Sequence, residues 1–312
     1  MRVGLLGPPE REEVRRLAIR VEERGGRPVV LDSRAEPAFR VSGDRIEACG
    51  EDLAALAALY VADLGIRPPW RRGADGNADL SASRVARDRS RRHLAAWNTV
   101  LHLLDARGVR VVNPPRAHDL HALKPWEMHA CRGRGLPVPR TLATSDPEAL
   151  VGGGDRPREL VTKGMVGGYG YTEAWEPPSD LDAARERLAA GPRMVQERVR
   201  GTDVRVYVVG GRTVAAAEIA SRDPVDSRRG ETRVRGIEPP GEARRIAEEA
   251  AGLWGMAFCA VDFIREDATG RWVLLECNSS PFFVAFERRA GRDVSGPLAD
   301  LLCGRGPREE RP

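Results

Sequence analysis

The sequence predicts a mixed α/β protein, with a parallel α/β domain at the N-terminus followed by α+β segments. Two observations carry that expectation. The chain opens strand, helix, strand, and a helical crossover leaves its two strands parallel. The C-terminal third holds two long apolar runs, each broken once by a turn signal, which is the pattern of antiparallel hairpins.

Taken in order, "MRVGLLG" is a short apolar strand ending in Gly-Pro-Pro. In "EREEVRRLAIRVEERGG", Val14, Leu17, Ala18 and Val21 recur at helical spacing, and two glycines close the helix. "RPVVLD" is the second strand. "RIEACGEDLAALAALYVADLG" is expected to add strand and helix of the same kind, and "RPPWRRGADGNADLSASRVARDRS" a polar, Gly-rich surface loop. "RRHLAAWNTVLHLLDARG" reads as a helix and "VRVVNPP" as the strand closing the domain, with the Pro pair at 114–115 as its boundary. A helix then surrounds Lys124, and "RELVTKGMVGGYGYTEAW" reads as two strands joined by a glycine-rich loop. "RMVQERV" is a strand, and "DVRVYVVGGRTVAAAEIAS" is a hairpin turning at Gly210-Gly211. "GEARRIAEEAAGLWG" is a helix, "AFCAVDFIREDATGRWVLLECN" a second hairpin turning near residues 268–270, and "PREERP" a frayed tail.

Composition excludes several classes. No apolar run approaches the roughly 18 residues of a membrane span, and no secretory segment follows Met1, so a cytoplasmic protein without membrane partners is expected. Net charge is +4, yet the basic residues are interleaved with acids rather than gathered in a patch, which argues against nucleic acid. Of 50 basic residues only Lys124 and Lys163 are lysines. Five scattered cysteines lack paired metal spacing and read as reduced thiols. "GLLGPPE" has no G-x-G-x-x-G, so the first sheet is not expected to hold a dinucleotide.

The chemistry concentrates in "LLECNSSPFF". Glu276 and Asn278 are two apart on a strand and share a face. A three-residue turn at 268–270 sets Asp262 opposite Glu276, with Cβ atoms about 5 Å apart. Three oxygen ligands favour Mg²⁺, with Mn²⁺ as an alternative. The same residues read equally as a solvated cross-strand pair with a capping Asn. Lys163 ends a strand beside "GMVGGYGY", where an ammonium and backbone N–H groups suit a polyphosphate. In "MVQERVRGTDVR" the strand ending in Gln196-Glu197 can offer backbone groups to an adenine edge, and Asp203 can reach ribose hydroxyls. Singly, each has a bland alternative.

In this order the motifs resemble the ATP-grasp superfamily and, within it, the RimK-type carboxylate–amine ligases, which share the glutathione synthetase-like ATP-binding fold. The resemblance runs from "VVNPP" to "DVSGPLADLL", about two thirds of the chain. Its most specific stretch is "CAVDFIREDATGRWVLLECNSSPFFVAFERRAGRDVSG". It implies a pre-ATP-grasp domain over 1–113, a central subdomain with a lid and Gly-rich loop over 114–193, and a C-terminal subdomain with the metal site over 194–312. The last two clamp ATP. It implies that Lys124 and Lys163 contact phosphates, that Gly167, Gly168 and Gly170 close over them, and that Gln196, Glu197 and Val199 form the adenine hinge, with Asp203 at the ribose. Asp262, Glu276 and Asn278 bind magnesium, while Arg205, Arg222 and Arg228 meet the γ-phosphate or the acid substrate. Related ligases often oligomerise, though no interface signal is visible here.

Two departures stand out. The segment "VDSRRGET" differs from the family's pattern near the substrate arginine. Where the family usually places glycine after "NSSP", this chain has "FFVAFE", whose Phe282, Phe283 and Phe286 are expected to reshape the acceptor side. The expected activity is ATP-dependent joining of a carboxylate to an amine through an acyl phosphate, on an amino acid or small peptide. Tailoring of a ribosomally made peptide is the alternative. A non-catalytic ATP-binding protein is the rival of another class, and the complete ligand set counts against it.

Overall fold

The structure, a computed structural model, describes residues 1–34, 39–65, 80–120, 123–151, 159–166, 171–223, 225 and 232–305, without the side chains of 80–83. These form two compact units, one of Met1–Pro115, Phe282–Val284 and Ser295–Pro312, the other of Arg116–Pro281 and Ala285–Val294.

In the first unit, β1 (Arg2–Leu6), α1 (Glu12–Glu22) and β2 (Arg27–Leu31) make the opening crossover, with β1 and β2 parallel as expected. Helix α1 buries Val14, Leu17 and Val21, the periodic residues of its sequence. A small antiparallel sheet follows, from β3 (Arg40–Ser42), β4 (Arg45–Ala48) and β5 (Glu51–Asp52). Next come β6 (Ala58–Val61), α2 (Leu80–Ala106) and β7 (Arg110–Val112), completing an all-parallel sheet in the order β2-β1-β6-β7.

Two expectations fail here. "EDLAALAALYVADLG" forms no helix; its apolar run is strand β6, every residue of which is buried. A central parallel strand is covered on both faces, so it reads as an unbroken apolar run with no strand period. The polar loop lies partly outside the described residues, and from Leu80 onward it is helix, because "LSASRVARDRS" contains neither Gly nor Pro and is rich in good helix formers.

The second unit begins with α3 (Pro115–Asp119), most of which it holds, and α4 (Lys124–Gly133). It continues with β8 (Thr141–Thr144), α5 (Pro147–Val151), β9 (Leu160–Lys163), β10 (Glu173–Trp175), α6 (Leu181–Leu188) and β11 (Arg193–Glu197). These strands form an antiparallel sheet ordered β10-β9-β11-β8, over a small core of Leu150, Trp175, Ala184 and Val195.

Then come β12 (Gly201–Val209), β13 (Arg212–Ser221), β14 (Thr232–Ile237), α7 (Gly241–Leu253), β15 (Phe258–Glu266) and β16 (Trp272–Asn278), giving a sheet ordered β14-β13-β12-β15-β16. The β12–β13 hairpin turns at Gly210 and Gly211 as expected, and their φ values of 56° and 72° make a mirror-image turn. One face of this sheet packs on α7 through Val204, Val206, Val261, Phe263, Leu274 and Cys277 against Ala243, Ile246, Ala247, Ala250 and Ala251. Helix α8 (Val284–Ala290) follows, and α9 (Ser295–Leu302) closes the chain against α1 of the first unit, where Arg24 bonds Asp300 at 2.6 Å.

The last hairpin differs from expectation in its turn. Glu266 N–H donates to Arg271 O at 2.9 Å, so four residues, 267–270, make the turn, not three. The ladder begins one residue out of the expected register, with Phe263 opposite Leu274. A bulge at Leu275 then restores it, and Asp262 stands opposite Glu276.

Candidate functional site

The sheet face turned away from α7 carries charge. On β12 and β15, Arg205 and Asp262 are register partners, and the guanidinium grips the carboxylate in a fork, Nε to Oδ1 at 2.6 Å and Nη2 to Oδ2 at 2.8 Å. Burial opposes the charge on Arg205, but the Asp262 carboxylate outweighs it and holds the guanidinium protonated beyond its ordinary range. On β16, Asn278 donates through Nδ2 to Asp262 Oδ2 at 3.0 Å and to Glu276 Oε1 at 3.3 Å. Lys124, the first residue of α4, pairs with Glu276 Oε2. The repulsion between Asp262 and Glu276 is thus relieved by the protein's own Lys124 and Arg205.

Lys163 ends β9, opposite Met194. Burial and the neighbouring Lys124 ammonium lower its pKa to about 8, against the pull of Asp262, Glu127 and Asp203. That joins the 124–127 helix turn, the end of β9, the start of β12 and the β15–β16 hairpin in one electrostatic neighbourhood. Asp203 lies near the start of β12, half-buried. Gln196 is buried on β11, its Nε2 donating to Thr141 Oγ1 at 2.9 Å. Glu197 closes that strand as the register partner of Leu160, donating its N–H to Arg140 O at 2.9 Å and receiving Arg140 N–H on Oε2 at 3.3 Å. Val199 is half-buried in the connector to β12. Arg222 is exposed one residue past β13. Arg228, Gly167, Gly168 and Gly170 lie outside the described residues.

One buried acid was not anticipated. Glu127 is 2% exposed, three residues after Lys124, and accepts the backbone N–H of Cys277. Burial pushes its pKa up to about 7, although Lys124, the Cys277 N–H and Lys163 pull it down. Glu127 shares the buried face of α4 with Met128 and Cys131.

The aromatic run after β16 divides differently from expectation. Phe283 and Phe286 are buried, Phe286 against Tyr207 with ring centroids 4.5 Å apart. Only Phe282 is exposed, with the Arg11 guanidinium 4.4 Å from its ring centre.

An all-oxygen set of two carboxylates and an amide suits a hard divalent cation. Among the described residues no group of three or more His, Cys, Asp or Glu side chains gathers as a metal site.

Comparison with known proteins agrees with this architecture. Residues 168–281 match a family described as the ATP-grasp domain, R2K clade family 3. A probable alpha-L-glutamate ligase of Maridesulfovibrio salexigens is 30% identical over 217 residues, 65% of this chain and 70% of the relative. Beta-citrylglutamate synthase B of Danio rerio is 27% identical over 222 residues; this chain spans about half of it, 53%. Among solved structures, the ATP-grasp ligase PsnB complexed with a phosphomimetic variant of minimal precursor, Mg and ADP is 30% identical, with a TM-score of 0.78 over 97% of this chain and 98% of that one. The same ligase with precursor peptide PsnA2 and AMPPNP gives 30% identity and a TM-score of 0.75 over 97% and 96%. The chain belongs to the ATP-grasp superfamily, among its RimK-type ligases.

Proposed function

We propose that this protein is an ATP-dependent ligase that joins a carboxylate to an amine. The observation that carries the reading is the convergence of Lys124, Lys163 and Arg205 with Asp262, Glu276 and Asn278 on one sheet face. A substrate carboxylate attacks the γ-phosphorus of ATP, ADP leaves, and an acyl phosphate forms; the amine then attacks the acyl carbon, phosphate leaves, and the amide nitrogen loses a proton. Lys124 and Arg205, tied to Glu276 and Asp262 in this state, turn toward phosphate oxygens and spread the charge that develops there. Lys163 contributes a third cation, and Gly167, Gly168 and Gly170 the closing loop. Gln196, Glu197, Val199 and Asp203 hold the nucleoside. Asp262, Glu276 and the Asn278 carbonyl would hold Mg²⁺, which would supply charge neutralisation to the bound nucleotide. Arg222 and Arg228 face the acid. The five unbridged cysteines suit a reducing cytoplasm.

A peptide is the better-supported substrate. Peptide-bound PsnB aligns with 97% of this chain at 30% identity, whereas the glutamate ligase covers 65%. The free-amino-acid reading that led from sequence therefore becomes the second. The test is incubation with Mg-ATP, hydroxylamine and carboxylates ranging from amino acids to long acidic peptides, assayed for ADP and hydroxamate. Both products together with a peptide support the reading. AMP in place of ADP refutes the acyl phosphate, and a small acid as sole substrate refutes the peptide.

A further inference from the structure

Helix α4 carries an acid to which the reaction above gives no role. Glu127 accepts the N–H of Cys277, the residue between Glu276 and Asn278. Among the described residues strand β16 is the edge of its sheet, so its outward N–H groups have no further strand to pair with. Leu274 N–H finds Pro137 O at 2.7 Å, and Glu127 provides for Cys277. Between those two anchors lies the bulged Leu275, where the ladder to β15 is interrupted. From the same helix turn Lys124 reaches Glu276. One short stretch of α4 therefore holds the strand at two adjacent residues, through a side chain and through the backbone.

We infer that Glu127 is a positioning residue: its bond to Cys277 N–H fixes the end of β16, so that Glu276 and Asn278 keep their cation-binding geometry relative to Lys124. The inference rests on the functional reading above. It explains why a carboxylate stands at a helix position otherwise suited to an apolar residue, since Met128 and Cys131 beside it belong to the core. A residue needed only for packing would stabilise the fold without affecting how much Mg²⁺ the nucleotide requires.

The test is calorimetric titration of ADP into the full chain at increasing Mg²⁺, for the parent, Glu127→Ala and Glu127→Gln, with thermal melting of each. Glu127→Ala is expected to raise the Mg²⁺ needed for half-maximal ADP binding about tenfold or more. Glu127→Gln keeps an oxygen that accepts the N–H and is expected to bring the requirement back to within about threefold of the parent. Parent-like Mg²⁺ dependence in a folded Glu127→Ala protein overturns the inference, even with a lowered melting temperature. Should Glu127→Ala not fold, Glu127→Leu decides, since it fills the space but cannot accept the N–H: a tenfold rise in the Mg²⁺ requirement supports the hydrogen bond, and a requirement near the parent's refutes it. ADP binding by the parent without any Mg²⁺ dependence removes the functional reading itself, and that is seen before any variant is made.

Discussion

Replacing Arg205 with alanine tests the site most directly. The fork to Asp262 consists of two charge-assisted bonds, at 2.6 and 2.8 Å. Such bonds contribute about 1.5–3 kcal/mol each at best. The side chains keep 29% and 18% of their exposure, and the pair was desolvated to form, so the net loss is nearer about 2–3 kcal/mol in all. For a unit of this size that lowers the melting temperature by roughly 4–12 °C. Mg-ADP should recover part of the loss, because a bound cation neutralises the orphaned Asp262. Turnover, followed as ADP release, is expected to fall about 10²–10³-fold if Arg205 steadies phosphate charge. Arg205→Lys retains the charge but not the fork, and should fall between. A variant that melts within about 1 °C of the parent and turns over within about threefold of it would refute the reasoning.

Three further outcomes are expected. Glu276→Gln should keep the fold, measured by circular dichroism, and lose Mg²⁺-dependent ADP release; turnover at the parent rate would exclude Glu276 as a ligand. Lys163, with its pKa lowered to about 8, should impose a falling limb on kcat/KM for ATP as pH rises through that value, because the neutral amine no longer pairs with phosphate. Lys163→Arg should move that limb upward, and an unmoved limb would assign it to another group. The stability linkage has the opposite direction: below about 8 the penalty for burying the charged ammonium is present in full, and between there and its ordinary 10.5 the unfolded chain binds more proton, so stability gains with pH. Finally, a Cβ built on Gly201 lies 2.0 Å from Arg265 O, so Gly201→Ala should destabilise by about 2 kcal/mol or more in denaturant titration, and a smaller effect would mean the two strands separate easily.

What was legible in the sequence follows the strength of local pattern. Helix α1 and the β12–β13 hairpin announced themselves because an apolar period or a Gly-Gly turn is a property of neighbouring residues. Strand β6 did not, since burial on both faces erases its period. The proposed ligands Asp262, Glu276 and Asn278 were visible as polar types out of place on two apolar strands. Glu127 was hidden: its significance comes from Cys277, 150 positions away, and no local pattern records that meeting. The pairing of Asp262 with Glu276 was anticipated from the wrong turn length, and the bulge made it true.

That bulge means that β16 changes the parity of its faces partway along. Trp272 and Leu274, even-numbered, lie in the core, and so does Cys277, odd-numbered. A regular strand that kept Leu275 would continue the alternation of Trp272 and Leu274, putting Glu276 on the face toward α7 and the Cys277 thiol on the opposite one. A relative with a gap at this position would keep Asp262 opposite Glu276 in a regular ladder, whereas one of the same length without the bulge would share the letters of the site but not their arrangement. Transplanting Glu276 and Asn278 into another hairpin with Leu275 in place therefore requires the bulge to go with them.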